Sequence, residues 1–531
     1  MTPHPILIDG AWRPAEAPTG SFQAMNPTTR TPLPDHYPIS SWADAEAALQ
    51  ASQVAVEQLR STPVEQIAAF LEAYAAGIEA RAEALVEIAH AETALPKEPR
   101  LKSTELPRTT GQLRQAAHAV RERSWCHATI DSKLNIRSMY RAMGGAVVVM
   151  GPNNFPYAFN GVSGGDFAAA IAAGNPVIAK AHPGHPGTTR LLAEAALEAI
   201  QATGVPRALV QMLYHMEPEV GAQLVTHPLT AATGFTGSRA GGLKLKEAAD
   251  RAGKPFYAEM SSVNPVYVLP GALAERGEAL ATEFANSCTL GAGQFCTNPG
   301  LVLLIDGAGA EAFISKSVAE FGGRTAGTLL TERGPANIAQ ALVALQAAGA
   351  EVLTGGQEAT GGGYAFQNTL LRVSGADFLA QPHALQTEAF GAVSLLVVAQ
   401  DADELLAITR HLEGNLTGSI YSATQGEDDA LYARLEPILR TKVGRLLNDK
   451  MPTGVAVSPG MNHGGPFPAT GHPGFTAVGI PASLLRFAAL HSYDNVRPAR
   501  LPIELQDANP SGTMWRWIDG TWSQGEVISG W

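Results

Sequence analysis

Ala146-Val147-Val148-Val149-Met150-Gly151-Pro152-Asn153-Asn154-Phe155-Pro156 is a short apolar run that ends abruptly in a glycine, a proline and two side-chain amides. The run has the length of one buried strand and is too short for a core helix. Its far end is a stiff turn carrying Asn153 and Asn154. The same unit recurs downstream. Apolar segments at 176–179, 209–213 and 231–235 run into Gly, Pro or Asn turns, and helical stretches at 188–202 and 240–252 alternate with them. Such alternation predicts βαβ units and a parallel sheet. A second alternating series passes through 266–269, 301–305, 395–398, 418–421 and 444–447. The fold class is therefore α/β, with two successive Rossmann-like lobes meeting near residue 260. Upstream, 41–92 reads as helix, with Ile67, Phe70, Leu71 and Tyr74 at helical spacing, and a second helical stretch spans 103–122. The tail after His491 is rich in Pro and Trp, lacks periodicity, and is expected to lie over a neighbouring surface.

With 531 residues, 45% hydrophobic and 16% charged, the chain has the composition of an ordinary soluble globular protein of two or three domains. A net charge of −12 argues against nucleic acid or an anionic membrane as partner, since both select basic patches. A small anionic ligand, which needs only a local cation or two, stays open. The segment from Met1 to Gly10 has neither a basic stretch nor a long apolar core, and no apolar run approaches the roughly 18 residues of a membrane span. The cytoplasm is the expected location.

Three cysteines make no disulfide framework. A free cysteine is most often a small buried hydrophobe, and Cys126 and Cys288 read that way. Cys296 differs. In Gly291-Ala292-Gly293-Gln294-Phe295-Cys296-Thr297-Asn298 it sits among small, flexible residues at the mouth of a turn, where a thiol is placed for attack. Three other segments join it. Gly234-Phe235-Thr236-Gly237-Ser238 links a strand to a helix, Glu259 ends another strand, and Thr387-Glu388-Ala389-Phe390-Gly391 precedes the run at 393–398. Each is weak alone; their order is specific.

In that order, Asn-Phe-Pro at 154–156, Phe-Thr-Gly-Ser at 235–238, Gly-Gln-x-Cys at 293–296 and Glu-x-Phe-Gly at 388–391 resemble the aldehyde dehydrogenase superfamily through most of the chain. Met260-Ser261-Ser262-Val263-Asn264-Pro265 stands where most members carry Leu-Gly-Gly-Lys-x-Pro. With 293–300 and 461–470, it resembles the ketoglutarate-semialdehyde (2,5-dioxopentanoate) dehydrogenase group, close to which stands a bacterial NADP-dependent fatty-aldehyde dehydrogenase. The resemblance implies an aldehyde dehydrogenase-like fold with a cofactor-binding domain at 1–124 and 144–259. It further implies a catalytic domain at 260–480, a β-flap oligomerisation region at 125–143 with the tail 481–531, and a homodimer or homotetramer.

It also implies roles. Cys296 attacks an aldehyde carbon to give a thiohemiacetal, with the Asn154 amide and the Cys296 backbone N–H as oxyanion donors. Loss of hydride to nicotinamide leaves a thioester, and Glu259 activates the water that hydrolyses it. Members that pass the acyl group to coenzyme A lack a Glu here, so the expected product is a free acid. No Gly-x-Gly-x-x-Gly fingerprint is present. Instead Gly237 and Ser238, at a helix N-terminus, meet the pyrophosphate beside Pro152. Lys180 reaches the adenosine ribose, Glu388 holds the nicotinamide ribose and Phe390 packs near that ring. Pro183 replaces the Glu that many NAD-preferring relatives carry, so NADP is the first expectation and NAD the alternative. His182 and His185 lack further ligands in sequence, and no metal is expected.

Arg108 aligns with a helix lining the aldehyde tunnel, where a guanidinium would clamp a distal carboxylate; a surface salt bridge is the plainer reading. Phe155, Phe159 and Val162 are expected as apolar walls, and His463 as a polar replacement for an aromatic residue. The leading expectation is NAD(P)-dependent oxidation of 2-oxoglutarate semialdehyde to 2-oxoglutarate. Oxidation of a fatty aldehyde is the substrate alternative, and a silent fold used for binding is the alternative of another class.

Overall fold

In the computed structural model, which describes residues 2–528, the opening run is the strand Ala146–Met150, buried at every position. A continuous Val-rich strand needs both sheet faces covered, and here helices cover them. The strand pairs in parallel with Val177–Lys180 on one side and Thr230–Thr236 on the other. Across the sheet the order is Phe256–Glu259, Thr230–Thr236, Ala146–Met150, Val177–Lys180, Val210–Leu213, then an antiparallel hairpin of Ile6–Ile8 and Ala11–Arg13. The chain thus moves outward from its first parallel strand, then crosses back and moves outward on the other side. The two loops that leave the sheet at this reversal diverge and open a crevice between them. Those loops carry Asn154 and Ser238.

The second sheet also has seven strands: Glu351–Thr354, Thr369–Ser374, Val393–Ala399, Leu301–Ile305, Pro265–Val268, Asn415–Tyr421 and Val443–Asn448. Only Glu351–Thr354 is antiparallel to its neighbour. It and Thr369–Ser374 escape the sequence pattern, because the first is a partly exposed edge and the second is interrupted by Arg372, which reaches out to Glu311. The helical stretch at 41–92 is three helices, Trp42–Leu59, Val64–Ala80 and Ala82–Thr93. Pro63 forces the first break, since the residue before a proline is driven out of the helical region. The stretch at 103–122 resolves into a wide-turn segment, Lys97–Glu105, and the helix Leu106–Glu122. No helix among the described residues is long and apolar enough to cross a membrane.

The tail packs over a neighbouring surface. It lies on its own chain, adding Arg516–Ile518 and Thr521–Ser523 to a five-stranded sheet with Thr129–Asp131, Ile136–Ala142 and Ala488–Asp494. Leu501, Leu505, Met514 and Val527 pack there against Cys126, Ala128, Ile130 and Met139. Arg516 is fully buried, and its guanidinium donates to the carbonyls of Gln506, Asp507 and Gly525. One side chain thereby satisfies backbone that has no strand partner, which is why this segment shows no periodicity.

Candidate active site

The reversal in the first sheet faces the turn that carries Cys296. Between them lies a cavity of about 330 Å³ lined by Pro152, Asn154, Gly237, Ser238, Glu259, Cys296, Glu388 and Phe390, with His182, Thr331 and Asn337. After the helix Pro270–Thr289 the chain passes through Gly291, Ala292 and Gly293 at φ 57°, 56° and 71°. A Cβ at Gly293 would fall 2.1 Å from the Gly391 carbonyl oxygen, so only glycine seats this turn against the Glu388 segment. Asn264, itself left-handed at φ 50°, donates from Nδ2 to the carbonyls of Cys296 and Asn298, both at 2.9 Å. Gln294 Oε1 accepts from Leu330 N–H at 2.9 Å. The backbone around the thiol is fixed on three sides.

His463 Nε2 stands 3.4 Å from Cys296 Sγ and 3.1 Å from Glu259 Oε1. Glu259 is 1% and His463 2% exposed, and Glu259 Oε2 has no hydrogen-bond partner among the described residues. Burial, and then the charge of Glu259, push the Cys296 thiol well above its ordinary value of 9.0, while Arg108 opposes the shift. Asn154 is buried and donates one amide N–H to the Gln294 carbonyl at 3.0 Å, and a primary amide carries a second.

The Asn154 carbonyl accepts from Arg100 at 2.8 Å; Arg100 is paired with the buried Glu105, whose other oxygen accepts the N–H groups of Tyr157 and Ala158. The sequence reading missed Arg100 and Glu105. Side chains five residues apart do not share a helix face, so nothing local marks them as a pair.

Phe155 meets Phe159 and Phe295 edge-on at 5.2 and 5.7 Å, and Phe159 lies 5.5 Å from the His463 ring. Arg108 lies over Phe155 and Phe159, 5.4 and 5.1 Å from the ring centres. It is no surface salt bridge. Its Nε and Nη2 are buried without partners among the described residues, and desolvation lowers its pKa against the pull of Glu105 and Cys296. Val162 does not join this wall. It is fully buried in the core of the first sheet, where its carbonyl accepts from the Tyr74 hydroxyl at 2.9 Å.

A second guanidinium, Arg445, was not foreseen. It donates to the carbonyls of Pro452 and Gly454 at 3.1 and 3.2 Å, with Nε buried and unpartnered among the described residues. An arginine within a predicted strand reads from sequence as a charge at a sheet edge.

At the other end of the cavity Ser238 caps the helix Arg239–Arg251, accepting from Gly241 N–H at 3.3 Å. Lys180 ends its strand, and burial lowers its pKa to about 8. His182 stacks on His185 at 5.3 Å, and His185 Nε2 donates to the Pro152 carbonyl at 2.9 Å. Glu388 accepts from Ser262 N–H at 3.3 Å; burial raises its pKa to about 7, with Ser261 and Ser262 opposing.

A thiol beside a carboxylate, amide donors above them and a helix N-terminus across one cavity are the parts of a covalent dehydrogenase. The aldehyde dehydrogenase family model matches residues 12–439, and the chain belongs to that family. It is an NAD(P)-dependent aldehyde dehydrogenase that oxidises an aldehyde. It is 42% identical over 508 residues to alpha-ketoglutaric semialdehyde dehydrogenase 2 of Azospirillum brasilense, covering 92% of this chain and 94% of that protein. Identity to alpha-ketoglutaric semialdehyde dehydrogenase of Acinetobacter baylyi is 37% over 516 residues, covering 95% and 96%. Among solved structures, the fold matches gamma-glutamyl-gamma-aminobutyraldehyde dehydrogenase of Burkholderia cenocepacia (TM-score 0.79, 21% identity, 94% and 97% covered). It also matches a mutant of aldehyde dehydrogenase C of Pseudomonas syringae complexed with NAD+ and octanal (TM-score 0.79, 19% identity, 94% and 98% covered).

The raised thiol pKa has a direct readout. Iodoacetamide should alkylate Cys296 slowly at pH 7, and the rate should keep rising past pH 9; a plateau below pH 8, followed by mass spectrometry, contradicts the assignment.

Proposed function

We propose that this enzyme oxidises 2-oxoglutarate semialdehyde (2,5-dioxopentanoate), or a short oxo-acid aldehyde of the same form, to the free acid. Arg108 carries the reading. A guanidinium held over two aromatic rings without a carboxylate is a desolvated cation that an anionic substrate group would complete. An aliphatic chain would leave it as it is. The two relatives named alpha-ketoglutaric semialdehyde dehydrogenase support the same substrate. The Phe155, Phe159 and Phe295 wall is the feature that favours a fatty aldehyde instead.

In this mechanism the Cys296 thiol yields its proton to the adjoining His463–Glu259 pair as sulfur bonds to the aldehyde carbon. The carbonyl oxygen, now an alkoxide, is met by the free Asn154 amide N–H and the Cys296 backbone N–H. Bound NAD(P)+ supplies the hydride acceptor. After the pair has passed that proton to solvent, Glu259 takes a proton from the water that cleaves the thioester and returns it to the leaving sulfur, freeing the acid and restoring the thiol. The cavity residues fit the cofactor: Gly237 and Ser238 at a helix N-terminus for the pyrophosphate, with Pro152 alongside, Glu388 for the nicotinamide ribose, and Phe390 beside the ring. The first lobe, 1–124 and 144–259, would hold the cofactor, and 260–480 would supply the nucleophile.

Between the two cofactors we favour NADP. No acidic side chain among the described residues acts on Lys180, and His182, His185 and His215 are near enough to feel its charge. Three free cysteines suit a reducing compartment such as the cytoplasm. The open edge of Ala488–Asp494, with Leu490 57% exposed, supports a homodimer or homotetramer, and light scattering giving the mass of one chain would refute it.

Arg108→Leu should lower kcat/KM for 2,5-dioxopentanoate by roughly 10- to 100-fold, as loss of a charge-assisted hydrogen bond does, while sparing decanal. A wild-type enzyme that prefers decanal, or a variant that loses both substrates equally, refutes the anionic-substrate reading. For the cofactor, Lys180 is charged below about pH 8 and neutral above it. The NADP-over-NAD preference in kcat/KM should therefore shrink between pH 7 and 9, and Lys180→Met should remove the trend.

A further inference from the structure

We propose that Cys296, His463 and Glu259 form a binding site for one Zn²⁺ ion, and that zinc occupying it switches the enzyme off reversibly. The three donor atoms lie within 4.8 Å of one another, the one such group of three among the described residues. They are the sulfur, nitrogen and oxygen ligands that zinc takes, at about 2.3, 2.0 and 2.1 Å. Ligands at those lengths around a tetrahedral ion stand roughly 3.3–3.6 Å apart. Here Sγ to Nε2 is 3.4 Å and Nε2 to Oε1 is 3.1 Å. Both separations lie within about 0.3 Å of that range.

A further observation points to a cation: Glu259 Oε2 is buried in the site without a hydrogen-bond partner among the described residues. Binding converts Cys–SH and Zn²⁺ to a Cys–S–Zn bond and a released proton, without oxidation or reduction. The frame is already rigid. Asn264 holds the Cys296 carbonyl, the Glu259 carbonyl accepts from Gly237 N–H at 3.1 Å, and the His463 carbonyl accepts from Ala477 N–H at 3.1 Å. The fourth ligand position opens on the 330 Å³ cavity, as in a site that keeps one place for water. The histidine is what makes the set; a thiol and one carboxylate alone hold zinc weakly. This ion is an inhibitor and not a cofactor, and that consequence rests on Cys296 being the nucleophile, because zinc withdraws charge from the sulfur and crowds the aldehyde's approach to it.

The test uses full-length enzyme stripped with EDTA and freed of chelator. Zn²⁺ should inhibit oxidation at one equivalent with release of about one proton, and EDTA should restore the rate. Co²⁺ should give a thiolate-to-cobalt charge-transfer band in the near ultraviolet, absent in Cys296→Ser. His463→Phe should weaken cobalt binding, read from this band without turnover, by roughly tenfold or more, as should Glu259→Gln if the histidine variant fails to fold. No cobalt band in the wild type, a band that survives Cys296→Ser, or unchanged metal affinity in a folded His463 or Glu259 variant overturns the proposal. The band needs no turnover, so a wrong aldehyde assignment leaves this result untouched, and an absent band leaves the aldehyde assignment standing.

Discussion

The chemistry of this protein hangs on Asn264. Its left-handed backbone turns its amide toward the Cys296 loop, where Nδ2 donates to the carbonyls of Cys296 and Asn298. Its own N–H, with that of Val263, is held by Asn415 Oδ1. One amide thus joins the entry to the second sheet, the nucleophile turn and the strand Asn415–Tyr421. A buried carbonyl left without such a donor costs about 1–3 kcal/mol, and the Cys296 carbonyl depends on this side chain, whereas that of Asn298 also accepts from Gly300 N–H. Gly293 is the counterpart on the other side, where contact with Gly391 leaves no room for a Cβ.

Charge in the site is held out of balance. Glu259, Glu388 and Cys296 line one cavity, and Glu259 raises the pKa of both of the others. Arg108 and Arg445, the nearby cations, are tied to neither carboxylate and sit on aromatic rings or backbone carbonyls. Full pairing would have neutralised every group at rest and left no electrostatic role for a substrate. The separation leaves the thiol pKa raised and the guanidinium of Arg108 available.

Much of this was legible in the sequence. The central strands are Val- and Leu-rich runs closed by glycine or proline, and Asn154, Glu259 and Cys296 sit at loop or strand ends, where local motifs betray position. Arg100, Glu105 and Asn264 were hidden because their partners are distant in sequence or awkwardly spaced, and their value comes from carbonyl and amide groups that carry no residue identity. Val162 was misjudged for a related reason. Its neighbours Phe155 and Phe159 face the site, but the chain turns between 159 and 164 and sends it into the core. His463 was recognised as a polar substitution, whereas its bridge between sulfur and carboxylate needed coordinates.

The sheet that unites Thr129–Asp131 with Arg516–Ile518 also sets a schedule. Thr129 is paired with Trp517, so the apolar face of Cys126, Ile130 and Met139 stays uncovered until nearly the whole chain has left the ribosome. The two large sheets can assemble in order of synthesis, but this one closes last, over a loop spanning most of the polypeptide. Its completion marks the moment at which a nascent chain stops showing that apolar face to its neighbours.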